Sequence, residues 1–194
     1  SGKKGQVARI SPLVPGIDGV GERADGSLVY FVLPDTRRGS FAERTAIDLR
    51  RSVLLPRDID ATAIAAAMNP AMSSWVALRR RAGFEPGQSV LVLGATGSAG
   101  RLAVQVATRL GASRVVAAGR DPESLAALAA RGAHPVSIAG GPEAAAEVGD
   151  AAADVDVVLA YLWGWPAARA MRAVLVGPRV RGGRAPRVPR AAVR

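Results

Sequence analysis

The sequence contains no cysteine and a single histidine, His134, among its 194 residues. The absence of cysteine excludes disulfide bonds, zinc held by thiolates and a cysteine nucleophile from this chain. Aromatic residues make up only 4% of the chain, and no apolar run approaches the roughly 18 residues of a membrane-spanning helix. The first residues lack the charged and apolar regions of a signal peptide. Together these absences predict a cytoplasmic protein.

Basic residues outnumber acidic residues by 26 to 16, which gives a formal net charge of +10. Residues 177–194 hold six arginines and no acidic residue, so more than half of the net charge lies in this segment. Its prolines and its lack of apolar periodicity predict a disordered Arg/Pro-rich tail. Nucleic-acid binding through the tail is a minor alternative, because it has cations for phosphates but no aromatic side chain for base stacking.

The most informative stretch is an apolar run that leads directly into three glycines spaced as GxxGxxG. This order predicts a buried strand, a tight turn and the first turn of a helix. Unpaired N–H groups and the positive dipole end at such a helix N-terminus suit a phosphate. Gly94 would let the chain turn, Gly97 would let the backbone approach a pyrophosphate, and Gly100 would let the helix approach the sheet. The predicted cofactor-binding turn comprises Gly94, Ala95, Thr96, Gly97, Ser98, Ala99 and Gly100. The alternative is a glycine-rich turn that binds no ligand.

Apolar strands alternate with helices around this turn, and the alternation predicts an α/β fold with a parallel sheet buried on both faces. The predicted strands cover residues 90–93, 114–118, 135–138 and 155–159. The predicted helices begin at Ser98, Asp121, Gly141 and Pro166.

The residues before the glycine turn are rich in turn signals and short apolar runs, which predict β structure. The predicted strands cover residues 28–33 and 41–47. Asp60 is predicted to cap a helix over residues 61–68, and Asn69 to cap a second helix with Pro70 at its first position.

Several separated segments resemble the medium-chain dehydrogenase/reductase superfamily, in the order found in that family. They are residues 14–21 (PGxDxxG), 39–43 (GSFAE), 85–92 and 154–159. Within the family, the chain is most similar to the zinc-free quinone oxidoreductases. The resemblance implies a Rossmann-type doubly wound parallel sheet preceded by a partial, β-rich GroES-like segment. The expected domains are the GroES-like segment over 1–58, an incomplete NAD(P)-binding Rossmann domain over 59–176 and the tail over 177–194.

The resemblance also implies chemistry without a metal. Zinc-dependent members carry Gly-His-Glu where this chain has Gly16-Ile17-Asp18, and isoleucine cannot ligate a metal. His134 is predicted to be a surface or structural residue. Since no Lewis acid is expected, the implied reaction is hydride transfer from NADPH to a quinone or an α,β-unsaturated carbonyl. No catalytic acid or base is assigned.

The residue types at the end of the second predicted strand indicate which dinucleotide the chain prefers. An acidic residue at this place accepts hydrogen bonds from the adenine ribose of NAD, but here Gly119 and Arg120 occupy it. Glycine leaves room for a phosphate, and Arg120 can pair with one through its planar fork. NADPH is therefore predicted in preference to NADH, and Asp121 is interpreted as a helix cap. The alternative for Arg120 is an ordinary exposed arginine.

Three further cofactor-binding candidates depend mainly on the resemblance. Ser73 matches a position where relatives use a threonine close to the nicotinamide; the alternative is a hydroxyl on a helix surface. Tyr161 and Leu162 follow the fourth predicted strand, at the carboxyl edge where cofactor loops gather. Their alternative is loop packing with Trp163 and Trp165.

Compared with the family, the chain is expected to be truncated at both ends, which would leave an unpaired sheet edge beside the fourth predicted strand. A catalytically inactive nucleotide-binding fragment is therefore an open alternative to an active oxidoreductase. The expected partner is a small-molecule quinone or enone, with homodimer formation left open and no membrane partner.

Overall fold

The structure is a computed structural model that describes residues 13–34, 38–176 and 190–193. The chain divides into two compact units, Ser1–Asn69 and Pro70–Arg194. In the described part of the chain, no helix has the length and apolar character needed to cross a membrane.

The first unit contains a three-stranded antiparallel sheet in the order β1-β2-β3. Its strands are β1 (Asp18–Glu22), β2 (Leu28–Val32) and β3 (Ser52–Leu54). Val29, Phe31 and Leu33 form its small core, with Ile47 packed against them. The prediction of a strand at residues 28–33 is therefore confirmed, and this antiparallel sheet fits the expected GroES-like segment.

The strand predicted over residues 41–47 is wrong, because the chain forms bends and irregular structure there. Both edges of β2 are already paired, one with β1 and the other with β3. Residues 41–47 therefore have no free edge of β2 to join, although Ile47 still packs on the core.

A single helix, α1 (Ala61–Val76), replaces the two helices predicted for this region. Asp60 caps it as predicted, since its Oδ1 accepts a hydrogen bond from the Ala63 N–H at 2.9 Å. Pro70 lies inside the helix, so the prediction that Asn69 begins a new one is wrong. Proline removes one helical N–H, but the buried residues Ser74 and Leu78 hold the chain beyond it. A short π-helical turn, Ala77–Arg81, follows α1.

The second unit is a five-stranded sheet in the order β6-β5-β4-β7-β8, with every neighbouring pair parallel. The strands are β4 (Ser89–Leu93), β5 (Arg114–Gly119), β6 (His134–Ser137), β7 (Val157–Ala160) and β8 (Arg190–Val193). The helices are α2 (Ser98–Arg109), α3 (Pro122–Ala129), α4 (Pro142–Ala151) and α5 (Trp165–Val176).

Alternate residues of the central strand β4 contribute to cores on opposite faces of the sheet. Val90 and Val92 belong to a core that includes residues of α2. Leu91 and Leu93 belong to a second core that includes residues of α4 and α5. Helices thus cover both faces, and this arrangement confirms the predicted α/β fold with a doubly wound, Rossmann-type parallel sheet.

The strand β8 corrects two expectations from the sequence. Its four residues pair with β7 in parallel, whereas the whole segment 177–194 was expected to lack regular structure. Because the backbone of β8 continues the ladder, the edge of β7 that was expected to be unpaired is covered. The remaining residues of the predicted tail lie outside the described residues.

Candidate functional site

The glycine turn lies at the carboxyl end of β4 and leads directly into α2. Gly94 has φ of +84°, which favours glycine. The N–H groups of Gly94 and Ala95 both donate to the carbonyl oxygen of Ala118 in β5, each at 2.9 Å. Gly97 is the N-cap of α2, and no side chain caps the helix. The predicted order of strand, turn and helix is therefore present.

The three glycines of the turn meet different surroundings. A Cβ atom at Gly100 would lie 2.7 Å from Ala95 Cα and closer still to the Gly94 carbonyl oxygen, so any side chain there would collide with backbone. At Gly97 the nearest atom to such a Cβ would be the Gly94 carbonyl oxygen, 3.5 Å away. Gly97 and Ser98 are exposed at the tip. The N–H groups of the first turn of α2, which have no intrahelical acceptor, can therefore be reached by a ligand.

The end of β5 packs under this turn. A Cβ atom at Gly119 would lie 2.9 Å from Thr96 Oγ1 and closer to the Thr96 methyl carbon, so Thr96 covers the glycine directly. Arg120 follows and is exposed. It lies on the rim of a cavity of about 430 Å³ that is also lined by Leu162, Trp163 and Trp165. The predicted roles of Gly119 and Arg120 toward a phosphate remain predictions.

Asp121 caps α3 as predicted: its Oδ2 accepts a hydrogen bond from the Ser124 N–H at 2.9 Å. Hydrogen bonding from Ser124, assisted by the positive charge of Arg101, holds the pKa of the Asp121 carboxyl below its ordinary value. Asp121 is therefore an ionised cap at neutral pH, and its carboxylate is already engaged.

Arg101 is a residue of this region that the sequence reasoning missed. Its Nε donates to the Thr96 carbonyl oxygen at 3.1 Å, and its Nη2 donates to Ser124 Oγ at 2.7 Å. The guanidinium thus joins the glycine turn to the first turn of α3. The only signal in the sequence is an arginine directly after the third glycine, which by itself resembles any exposed helical cation.

Ser73 and Tyr161, predicted separately, lie together. Ser73 Oγ and Tyr161 Oη are 3.3 Å apart, and the Tyr161 N–H donates to the Leu93 carbonyl oxygen at 2.9 Å. Leu162 lies beside the turn, since its side chain would be 3.0 Å from a Cβ atom at Gly94. The carboxyl ends of β4 and β7 therefore bring Tyr161 and Leu162 to the glycine turn, and Ser73 of α1 contacts Tyr161.

Two other residues that the sequence analysis names, Asp18 and His134, have the following surroundings. Asp18 accepts a hydrogen bond from the Tyr30 hydroxyl at 2.8 Å, within the hairpin of the first unit. Burial, together with this carboxylate, raises the pKa of Tyr30. His134 is exposed at the start of β6, which agrees with its prediction as a surface residue.

The predicted cofactor residues of the second unit therefore share one edge of the sheet. From β4 the chain proceeds to β5 and β6 on one side and then returns to β7 on the other. This reversal of strand order is a topological switch point, where open α/β sheets bind their ligands.

Comparison with known proteins agrees with this architecture. No family model matches the chain. The chain is 36% identical over 143 residues to a probable NADPH-dependent quinone reductase of Emericella nidulans, covering 59% of this chain and 40% of the relative. It is 34% identical over 115 residues to a 2-methylene-furan-3-one reductase of Solanum lycopersicum, covering 58% of this chain and 29% of the relative.

The structural comparison adds the quinone oxidoreductase of Thermus thermophilus, which has also been solved in complex with NADPH. Its TM-score is 0.70 at 31% identity, over 87% of this chain and 54% of that protein. The chain is a quinone oxidoreductase-like protein of the medium-chain dehydrogenase/reductase superfamily. This quinone oxidoreductase-like chain spans about half the length of the solved relative and less than half that of the two curated relatives.

Proposed function

We propose that the protein binds NADPH and transfers hydride to a quinone or an α,β-unsaturated carbonyl without zinc. The observation that carries this proposal is the exposed GxxGxxG turn at the switch point of a parallel sheet. The names of the relatives support the same cofactor and substrate class, since they include an NADPH-dependent quinone reductase and a furanone reductase.

The diphosphate would be held by the glycine turn. Backbone N–H groups at residues 98–100 would donate to it, and the α2 dipole would favour its negative charge. The adenosine half would extend toward Gly119 and Arg120 at the end of β5, where dinucleotide-binding sheets contact the adenine ribose. The nicotinamide half would then extend across the switch point toward Tyr161, Leu162 and Ser73.

The hydrogen bonds of Ser73 determine whether the Tyr161 hydroxyl can donate or accept a hydrogen bond toward a ligand. Ser73 Oγ donates its single proton to the Pro70 carbonyl oxygen at 2.7 Å. In the contact with Tyr161, Ser73 therefore accepts, and the Tyr161 hydroxyl donates. This leaves the oxygen lone pairs of Tyr161 to accept a hydrogen bond, for example from the nicotinamide carboxamide. Tyr161 would position the ring, while the bound cofactor supplies the hydride.

The proposed zinc independence follows from residue types. Ile17 occupies a position where zinc-dependent relatives have histidine, and the sequence contains no cysteine. A conjugated carbonyl or quinone can accept hydride at an electron-poor carbon, so its reduction does not depend on a metal-stabilised alkoxide.

A titration followed by a turnover assay on the same sample tests the proposal. NADPH should change the intrinsic tryptophan fluorescence in a saturable way, because Trp163 and Trp165 line the cavity beside Arg120. Addition of a quinone should then consume NADPH, which is followed by the loss of the absorbance of the reduced nicotinamide. A folded sample that binds no NADPH would overturn the proposal, and binding without turnover would limit it to nucleotide binding.

A further inference from the structure

Arg101 lies on the proposed cofactor side of the sheet but has no role in the function proposed above. It is the fourth residue of α2, and it is exposed. Its two hydrogen bonds, to the Thr96 carbonyl oxygen and to Ser124 Oγ, hold the guanidinium in one place rather than leaving it to move in solvent. The hydrogen bonds of Nε and Nη2 hold this exposed guanidinium in one orientation. An arginine that is already ordered loses less side-chain entropy when it binds an anion than a mobile one does.

The two anchors of Arg101 locate the guanidinium relative to β5. Thr96 covers Gly119, the last residue of β5. Ser124 lies in the first turn of α3, the helix that follows β5. The guanidinium therefore lies beside the passage from β5 into α3. In dinucleotide-binding sheets this passage contacts the 2′ position of the adenine ribose, the position that carries the additional phosphate of NADPH.

Arg101 also has N–H groups besides the two that donate to Thr96 and Ser124. A guanidinium carries five N–H groups, and the two hydrogen bonds to Thr96 and Ser124 use two of them. Within the residues that the structure describes, no protein acceptor is recorded for the other three. Two parallel N–H groups are what bidentate phosphate binding requires.

The neighbouring acid does not oppose a phosphate at this place. The Asp121 carboxylate already accepts the Ser124 N–H, and the charge of Arg101 acts on it. Asp121 is therefore compensated locally, while Arg120 adds a second exposed guanidinium at the end of β5.

We propose that Arg101 is a specificity-determining residue that binds the 2′-phosphate of NADPH together with Arg120 and so sets the preference for NADPH over NADH. This inference rests on the proposed function, because it assumes that the glycine turn binds the diphosphate. The competing interpretation is structural: Arg101 only connects the turn to α3. The two interpretations differ in whether the nucleotide preference depends on Arg101.

The test compares Arg101→Gln with Arg109→Gln, a matched change of an exposed arginine at the other end of α2. Dissociation constants are measured by tryptophan fluorescence for NADPH and NADH, and by calorimetry for 2′,5′-ADP and 5′-ADP. For R101Q we expect NADPH and 2′,5′-ADP to bind roughly tenfold more weakly, which corresponds to the loss of one hydrogen bond to a charged group. NADH and 5′-ADP should change by less than about twofold, and R109Q should change none of the four.

The outcomes separate the two interpretations. If R101Q leaves the ratio of the NADPH and NADH dissociation constants unchanged, either because both affinities fall equally or because neither changes, the role of Arg101 in specificity is overturned. If R101Q does not fold, Arg101→Lys keeps the charge but loses the planar fork. R101K should then show a reduced NADPH-to-NADH preference, and an unchanged preference would overturn the proposal as well. A wild-type chain that binds neither dinucleotide would instead count against the proposed function.

Discussion

Thr96 covers Gly119 so closely that a Cβ atom at position 119 would lie 2.9 Å from the Thr96 hydroxyl oxygen. The contact joins the middle of the glycine turn to the last residue of β5. It reinforces the backbone hydrogen bonds from Gly94 and Ala95 to Ala118. The turn that we propose to bind the diphosphate is thus fixed by the neighbouring strand as well as by its own glycines.

Gly119→Ala should therefore damage both stability and cofactor binding. The added methyl group must displace Thr96 or shift β5, and overpacking of this kind costs about 1–3 kcal/mol. Chemical denaturation measures the loss, and an NADPH titration measures the effect on the turn. Gly21→Ala, in β1, is the control, because a Cβ atom there would have only an ordinary contact of 3.6 Å with the Phe31 ring. Equal stability of the two variants would show that Thr96 moves aside without cost.

Two glycines of the turn should respond differently to the same change. Gly97→Ala should lower the free energy of unfolding by no more than about 1 kcal/mol, the cost of alanine at an N-cap, since the nearest atom to the new methyl would be 3.5 Å away. It should nevertheless weaken NADPH binding, because the methyl group occupies the surface that the diphosphate would approach. Gly100→Ala should instead destabilise the unit, since its Cβ would collide with the backbone of Gly94 and Ala95.

Thermal unfolding and NADPH titration of both variants check this difference. A G97A variant that binds NADPH as well as the wild type would contradict the placement of the diphosphate. A G100A variant as stable as the wild type would contradict the close approach of α2 to the turn.

The features that the sequence predicted correctly are those encoded over a few neighbouring residues. The apolar run before Gly94 predicts β4, the glycine spacing predicts the turn, and Asp60 and Asp121 predict their helix caps. Each of these signals acts through the backbone geometry of neighbouring residues, so it depends little on residues distant in the chain.

The features that the sequence missed depend on residues distant in the chain. Asn69-Pro70 has the form of a helix start, yet buried residues beyond it keep α1 continuous. The hydrogen bond between Arg101 and Ser124 spans 23 positions, so only the packed structure shows that this arginine is fixed. Pairing of β8 with β7 likewise depends on a segment that has little apolar periodicity of its own.

Tyr161→Phe should weaken binding of the nicotinamide half of NADPH and leave binding of the adenosine half unchanged. The variant removes the hydroxyl oxygen that we propose accepts a hydrogen bond from the carboxamide. Loss of one neutral hydrogen bond corresponds to about a two- to tenfold loss of NADPH affinity. Affinity for 2′,5′-ADP, which lacks the nicotinamide, should stay the same. Calorimetry with both ligands measures the two effects.

Ser73→Ala is the companion variant, because it removes the acceptor that orients the Tyr161 hydroxyl. It should reduce NADPH affinity less than Y161F, since the hydroxyl itself remains. A parallel loss of 2′,5′-ADP affinity in either variant would indicate a general disturbance of the fold instead.

The Asp121 cap should make part of the stability depend on pH. Its folded-state pKa lies below the ordinary value of 3.8, so ionised Asp121 stabilises the fold at pH values above 3.8. This contribution is lost as the pH falls through the lowered pKa, where the folded protein takes up the proton. Asp121→Ala should therefore lower the Tm at neutral pH, and its Tm should approach that of the wild type in strong acid.

Asp121→Asn separates the charge from the cap. Asparagine is about as good an N-cap as aspartate, so D121N should keep most of the neutral-pH Tm and lose mainly the acid-dependent part. Thermal unfolding of the three proteins from neutral to acidic pH, at low and high salt, gives the comparison. If D121A stays below the wild type by the same margin at every pH, the Asp121 carboxylate does not stabilise α3 through its charge, and the compensation of this acid by Arg101 would lose its support.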